Sequence, residues 1–430
     1  MQICKEKGKA IIRKEILKII PIFTKKSHLT CLNGDNFVYC QCCVKSGAGL
    51  QIQRNYKRKD IIMKKKTLLV LLALAASAVL CACGDKEETV VATVEEIPIV
   101  EETTAEEETT TEVALEDELP EGMYFSELTN EPIDESLKNQ RPIAAMVDNE
   151  LTALPHFGLN EADIVYEMMN STKNGRITRL MAIVKDWGSI EQLGSIRSVR
   201  PTNILIAAEW NAVLCHDGGP FYIDPYLAEP YSDNFSGGFS RVDNGKAREF
   251  TEYIMPGDLE NKFANSSVEQ EYTEYYAGAH YQFAPKVDPI DFSDNAEAID
   301  AAKIELPFEH NGSYLEYDEA EGVYKYFEYG DPHLDGKTGE QLAFKNLLIQ
   351  NCTFSELDSN GYMIFNCLTA TPTPAYYVTN GKAIECTWIK PSATEPTRYY
   401  DMEGNEITIN TGKTYVALVP DDNWSQLVIE

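Results

Sequence analysis

The chain has 430 residues, with 38 Lys and Arg against 68 Asp and Glu, for a formal charge of −30. So acidic a surface repels nucleic acid and anionic lipid headgroups wherever no local patch reverses the sign, which leaves no nucleic-acid partner to expect. The 11 cysteines are unevenly placed, five of them within the first 62 residues.

Residues 1–62 are basic and show no sustained helical or strand period. Cys40, Cys42 and Cys43 form a C-x-C-C cluster whose spacing matches no standard zinc site. The stretch reads as a gene-start artefact, with translation beginning at Met63, and is set aside for the fold. From Met63, Lys64, Lys65 and Lys66 form a positive start, and Thr67 to Leu80 form a short apolar run. That run falls short of the roughly 20 apolar residues of a spanning helix and suits a secretory signal. Leu80-Cys81-Ala82-Cys83 resembles a lipobox, with a small residue before the cysteine. By that resemblance residues 63–83 are a lipoprotein signal, and Cys83 carries the lipid that anchors the chain to the extracytoplasmic face of the cell membrane. Taking away the 16 basic and 4 acidic residues before Cys83 leaves 22 and 64, a mature charge near −42.

Residues 84–127 are expected to form a disordered acidic tether. Between Gly84 and Pro120 there are 14 acids, one lysine (Lys86) and no aromatic residue. Such a segment cannot bury enough apolar surface to offset its ordering entropy.

From 128 to 287 short apolar runs alternate with a helical one. Ile143–Val147, Ala162–Tyr166, Ile177–Val184 and Asn211–Cys215 have strand length, and Thr202–Trp210 reads as a helix after Pro201. Buried strands mixed with helix predict an α/β domain with a mixed sheet. A linker is expected over 288–303. From 304 to 430 the texture is that of a smaller β-rich domain. Tyr and Phe alternate with polar residues in Val323–Tyr329, and Asn380-Gly381 between two strand-like runs is a hairpin signal. Cys215, Cys352, Cys367 and Cys386 carry no framework spacing, so disulfides are permitted without being required.

These residues resemble a known family. Arg141–Asn149, Gly158–Glu167, Ile177-Thr178-Arg179, Gly194–Pro201 and His216–Gly219 look like the opening domain of the YerB-like lipoproteins, the DUF3048 proteins. Gly381–Glu385, Trp388 and Pro396–Asp401 look like that family's C-terminal domain. The resemblance covers roughly 128–430 and implies two domains and a lipid anchor; it implies no activity. Members of the family often carry Ala-Pro-His-Asn after the His-Gly-Gly region, where this chain has Ala247–Thr251.

The strongest chemical signal is positive charge in an acidic chain. Lys173, Arg176, Arg179, Lys185, Arg197 and Arg200 fall within 28 positions. Arginine presents a planar fork that fits phosphate or carboxylate, and Arg197 and Arg200 flank Ser198 just before a helix start, where main-chain N–H groups also favour anions. The alternative is that these arginines brace the fold by pairing with Glu167, Asp163 and other acids. His216, followed by Asp217, Gly218 and Gly219, stands at a strand end, where open α/β sheets bind ligands; a hydrogen-bonded structural histidine is the competing reading. Asp148 and Glu167 close two strands and, with His216, are the candidate catalytic groups. Arg179, Arg197, Ser198, Arg200, His216, Gly218 and Gly219 are the candidate ligand-binding set. His156, His216, His280, His310 and His333 are scattered without metal-ligand spacing, so no metal is expected, and no cofactor motif is present. Tyr272, Tyr275, Tyr276 and Tyr281 suit either sugar stacking or packing.

The expectation is therefore an anchored lipoprotein that binds an anionic cell-envelope ligand or a partner protein through an Arg-rich loop. The competing expectation is an envelope phosphotransferase or hydrolase acting on a phosphate-bearing lipid or glycan, and the residues leave open which.

Overall fold

The structure is a computed structural model that describes residues 116–430, together with the backbone of one antiparallel pair, His28–Gly34 with Phe37–Cys43. The chain divides into two compact units, Met1–Glu107 and Glu108–Glu430. The strand pair lies within 1–62, where the sequence shows no strand period. The signal, Cys83 and the tether up to residue 115 lie outside the described residues.

The larger unit is built on an eleven-stranded sheet. Its main strands are β1 (Ile143–Asp148), β2 (Ile164–Met169), β3 (Thr178–Val184), β4 (Val213–His216) and β5 (Asn234–Ser236), then β6 (Asn346–Cys352), β7 (Thr369–Thr379), β8 (Lys382–Lys390) and β9 (Thr414–Pro420). In space they run β5-β4-β1-β3-β2-β9-β6-β7-β8, with Ile299–Asp300 at the far edge. The sheet is mixed. β4 runs parallel to β1, β3 antiparallel to both β1 and β2, β9 parallel to β2 and to β6, and β7 antiparallel to β6.

β1, β2, β3 and β9 are buried on both faces, which is why they read as near-continuous apolar runs. Alternate residues serve the two sides. Ala144, Met146, Met181, Ile183 and Val416 pack with α1 (Pro201–Glu209), whereas Val147, Leu180, Ala182, Tyr415 and Ala417 face the other way. That second face is covered by a six-stranded sheet containing Tyr314–Asp318 and Val323–Glu328.

The α/β, mixed-sheet character of the N-terminal region and the β-rich character of the C-terminal region are both present. The two regions share one sheet, because β9 comes from the C-terminal end and pairs Thr414–Leu418 with Ile164–Met168. The fold also reaches back into the stretch assigned to the tether. Met123–Phe125 pairs with Pro132–Asp134, Tyr124 is buried, and Glu127 holds the buried Lys185. Tyr124 gives this short segment a buried aromatic side chain and Glu127 an ion pair with a buried lysine.

The hairpin at Asn380-Gly381 forms as expected. Both turn residues have positive φ, 48° and 74°, as a two-residue turn of this kind requires, and they join Thr379 to Lys382. Cys215, Cys352, Cys367 and Cys386 are all buried free thiols.

Candidate functional site: an arginine cluster at the strand ends

β1 ends at Asp148 and β3 begins beside it, so Asp148 and Arg179 are direct register partners. Their side chains therefore emerge on one face, the side that carries α1. The loop Gly194–Arg200 crosses these strand ends and is fixed to them by the main chain. Asp148 N donates to Ser195 O (3.0 Å) and Arg197 N donates to Met146 O (2.9 Å). Pro201 then opens α1, where its fixed φ suits the first helical position, and Asn203 Oδ1 accepts from Arg200 N at 2.9 Å. The sequence thus brings Arg179, Arg197 and Arg200 to one place.

Their partners differ. Arg197 is held by the fully buried Asp148 and by Glu249 (3.1 Å), and its guanidinium lies over the Phe250 ring. Ala247–Thr251, the segment that departs from the family pattern, therefore contributes Glu249 and Phe250 to this cluster. Arg179 donates to Ser198 O (2.6 Å) and Asn170 Oδ1 (3.4 Å) and has no carboxylate in salt-bridge contact among the described residues. Arg200 donates to Val199 O (2.9 Å) and stacks over Tyr362, also without a carboxylate there. The Nε of each of these two arginines is buried and lacks an acceptor. Burial, then repulsion from Arg179 and Arg197, lowers the Arg200 pKa from its usual range; burial lowers that of Arg179. Both guanidinium groups nevertheless stay charged at neutral pH. Taken together, the three carry more positive charge than the contacting acids neutralise.

Other expected site residues lie elsewhere. Glu167 sits on the opposite face of the sheet, because it pairs in register with Leu180 rather than with Arg179. There it accepts hydrogen bonds from Asn149, Thr178, Asn311, Tyr326 and Tyr415. It braces no arginine, and neither does Asp163, which accepts from Lys185 N. His216 is buried, with Nδ1 2.9 Å from Gly218 O and Nε2 3.2 Å from Asn234 Oδ1; burial lowers its pKa. Both ring nitrogens are thus engaged within the fold. Ser198 Oγ donates to Asp217 O, and Gly219 packs so closely that a Cβ there would meet Ile223 at 2.5 Å. Gly218 has open space around it. Of the remaining basic residues, Arg176 pairs with Asp422 and Lys185 with Glu127. Tyr272 and Tyr276 stack on each other, and Tyr281 packs against Trp210. Sequence reading marked Ala247–Thr251 only as a departure from the family pattern, gave Glu249 and Phe250 no role and missed Tyr362; all three reach the cluster only through long-range folding.

The histidines are not all scattered. His156 Nδ1 lies 2.9 Å from His333 Nε2, which is 3.6 Å from Glu328 Oε1, and all three residues are buried. A separation of 177 residues hides this pair from any reading of spacing. Burial holds the His156 pKa down to about 4 and that of His333 down to about 3; burial and the charge of Glu167 push Glu328 up to about 8.

Residues 128–272 match the family described as Protein of unknown function (DUF3048) N-terminal domain, and residues 304–416 match its C-terminal domain. YerB of Bacillus subtilis (strain 168), provisionally named a lipoprotein, is 24% identical over 302 residues, 68% of this chain and 86% of that protein. The crystal structure of YerB protein from Bacillus subtilis superposes with a TM-score of 0.58 at 20% identity, covering 71% of this chain and 99% of that one. That likeness shows the fold.

Proposed function

Because the chain belongs to the family of unknown function that carries the DUF3048 N-terminal and C-terminal domains, we propose that it is a membrane-anchored extracytoplasmic lipoprotein that binds a phosphate-bearing ligand of the cell envelope through Arg179, Arg197 and Arg200. The name given to the Bacillus relative supports the anchor. The observation that carries the binding reading is Arg200, largely buried beside two other arginines and without a carboxylate in salt-bridge contact among the described residues. Burying like charges together is costly unless a counter-charge arrives, and a phosphate would supply it with acceptors that match the guanidinium fork.

The binding reading is preferred to a phosphotransferase or hydrolase because the candidate bases are already engaged. Asp148 contacts Arg197 through Oδ2 and accepts from Glu150 N through Oδ1. His216 uses both nitrogens, and Glu167 faces away from the cluster. Asp148 therefore serves to orient the Arg197 fork.

The test is thermal unfolding and calorimetric titration of the full chain in detergent, with inorganic phosphate and with pyrophosphate. At an anion concentration 100 times its Kd, bound anion should stabilise the wild type by about 2.7 kcal/mol, and Arg200→Ala should abolish that gain. A wild type that neither shifts nor titrates with either anion would overturn the proposal.

A further inference from the structure

His156, Glu328 and His333 meet inside the protein although two segments far apart in sequence supply them. His156 lies in the loop between β1 and β2, while Glu328 and His333 flank the tight turn that joins Val323–Glu328 to Asp331–Pro332. His156 Nδ1, His333 Nε2 and Glu328 Oε1 all lie within 4.8 Å of one another. A tetrahedral zinc with bonds of about 2.0–2.2 Å sets neighbouring ligand atoms about 3.4 Å apart. The 2.9 Å and 3.6 Å separations reach that value with movements of a few tenths of an ångström, while His156 Nδ1 and Glu328 Oε1, beyond salt-bridge contact but within 4.8 Å, must close further.

Two further observations point to a cation. First, Glu328 and Glu167 are both fully buried, and neither makes an ion pair with Lys or Arg among the described residues. Second, the polar atoms here are under-satisfied. Glu328 Oε1, which faces the cluster, is buried without a hydrogen-bond partner, and so are the outer ring nitrogens His156 Nε2 and His333 Nδ1, which a cation held by the inner nitrogens would leave as they are. A hydrogen bond between the two imidazoles accounts for one inner proton, so without a cation Glu328 must carry its own proton, as its raised pKa allows. A divalent cation would instead draw on lone pairs of both rings and on Glu328 Oε1.

We infer that His156, His333 and Glu328 form a buried structural zinc site that ties the loop after β1 to the Glu328–His333 turn. Two imidazoles and a carboxylate are donors suited to zinc. The site lies on the opposite side of the main sheet from the arginine cluster, and the inference does not rest on anion binding.

The experiment uses the full chain in detergent, stripped with a chelator and then titrated with zinc chloride against a chromophoric chelator. One equivalent should bind, and zinc should raise the melting temperature. His333→Gln and His156→Gln should each weaken binding by more than about 100-fold, beyond the 10–100-fold typical of losing an outer-shell partner. Because these buried variants risk misfolding, cobalt(II) added to the wild type provides a second readout, with visible d–d bands of a tetrahedral nitrogen–oxygen site expected. A stripped wild type that takes up no zinc and gives no such cobalt spectrum would overturn the inference and leave ordered water as the occupant. Full zinc affinity in a folded His333→Gln variant would overturn it equally.

Discussion

Lys390, near the C-terminal end of the chain, reaches Glu209 in α1 at 2.9 Å, and both side chains are 1% exposed. Glu209 also accepts from Thr397 N and Oγ1 and from the Tyr166 hydroxyl, so its carboxylate is tied to both regions of the sequence. Removing one member of such a pair strands the other charge in the interior. Lys390→Met should therefore cost about 3–5 kcal/mol in denaturant unfolding. With the sheet shared, the wild type should unfold in one transition by both fluorescence and circular dichroism. Two separated transitions in the wild type would show that the regions are energetically independent.

Glu167→Gln tests whether this carboxylate is structural. The five side chains that donate to Glu167 need acceptors, and an amide substitutes a donor for one of its oxygens. A loss of about 1–3 kcal/mol is expected from the resulting unpaired groups, together with an unchanged response to phosphate. A Glu167→Gln protein that kept its stability and lost the phosphate response would place the residue in the anion site after all.

Arg197 and Arg200 should behave in opposite ways. Arg197→Lys removes the fork that holds the buried Asp148 and should lower stability by about 1–3 kcal/mol. Arg200→Ala removes a cation repelled by Arg179 and Arg197 and should leave the melting temperature unchanged or raised in phosphate-free buffer. Equal destabilisation by the two variants would mean that Arg200 braces the fold.

His280 supplies a pH-dependent term. It stacks on Trp210 with ring centroids 3.5 Å apart, and burial, then Lys390 and Arg398, hold its pKa well below 6.5. The unfolded chain therefore takes up a proton below pH 6.5 that the folded chain refuses, so this group's contribution is lost as pH falls through 6.5. His280→Phe keeps the stacking and removes the titration. Relative to wild type, its stability should rise by up to about 1.4 kcal/mol per pH unit below 6.5. Parallel stability curves for the two proteins between pH 7 and 5 would contradict this.

Cys83→Ala should release the protein from the membrane fraction or leave an unprocessed precursor, as fractionation and mass spectrometry of the N-terminal peptide would report. Retention of a processed Cys83→Ala protein in the membrane would exclude this cysteine as the anchor point.

The sequence by itself determined the local elements. Pro201 started a helix, Asn380-Gly381 made a hairpin, and the apolar runs of β1, β3 and β4 became strands, because backbone preference and burial period are written within a few residues. It also grouped Arg179, Arg197 and Arg200 close enough along the chain to be suspected together. Tertiary structure decided the rest. A two-residue periodicity cannot say which face of a sheet a strand-end residue takes until register is fixed, and register put Asp148 beside Arg179 and sent Glu167 to the other side. Pairing of β9 with β2 joined regions that composition separates, since a strand apolar on both faces belongs in the sheet interior, with β2 and β6 on its edges and a packed layer over each face. The contact between His156 and His333, 177 positions apart, exists only once those strands are in place.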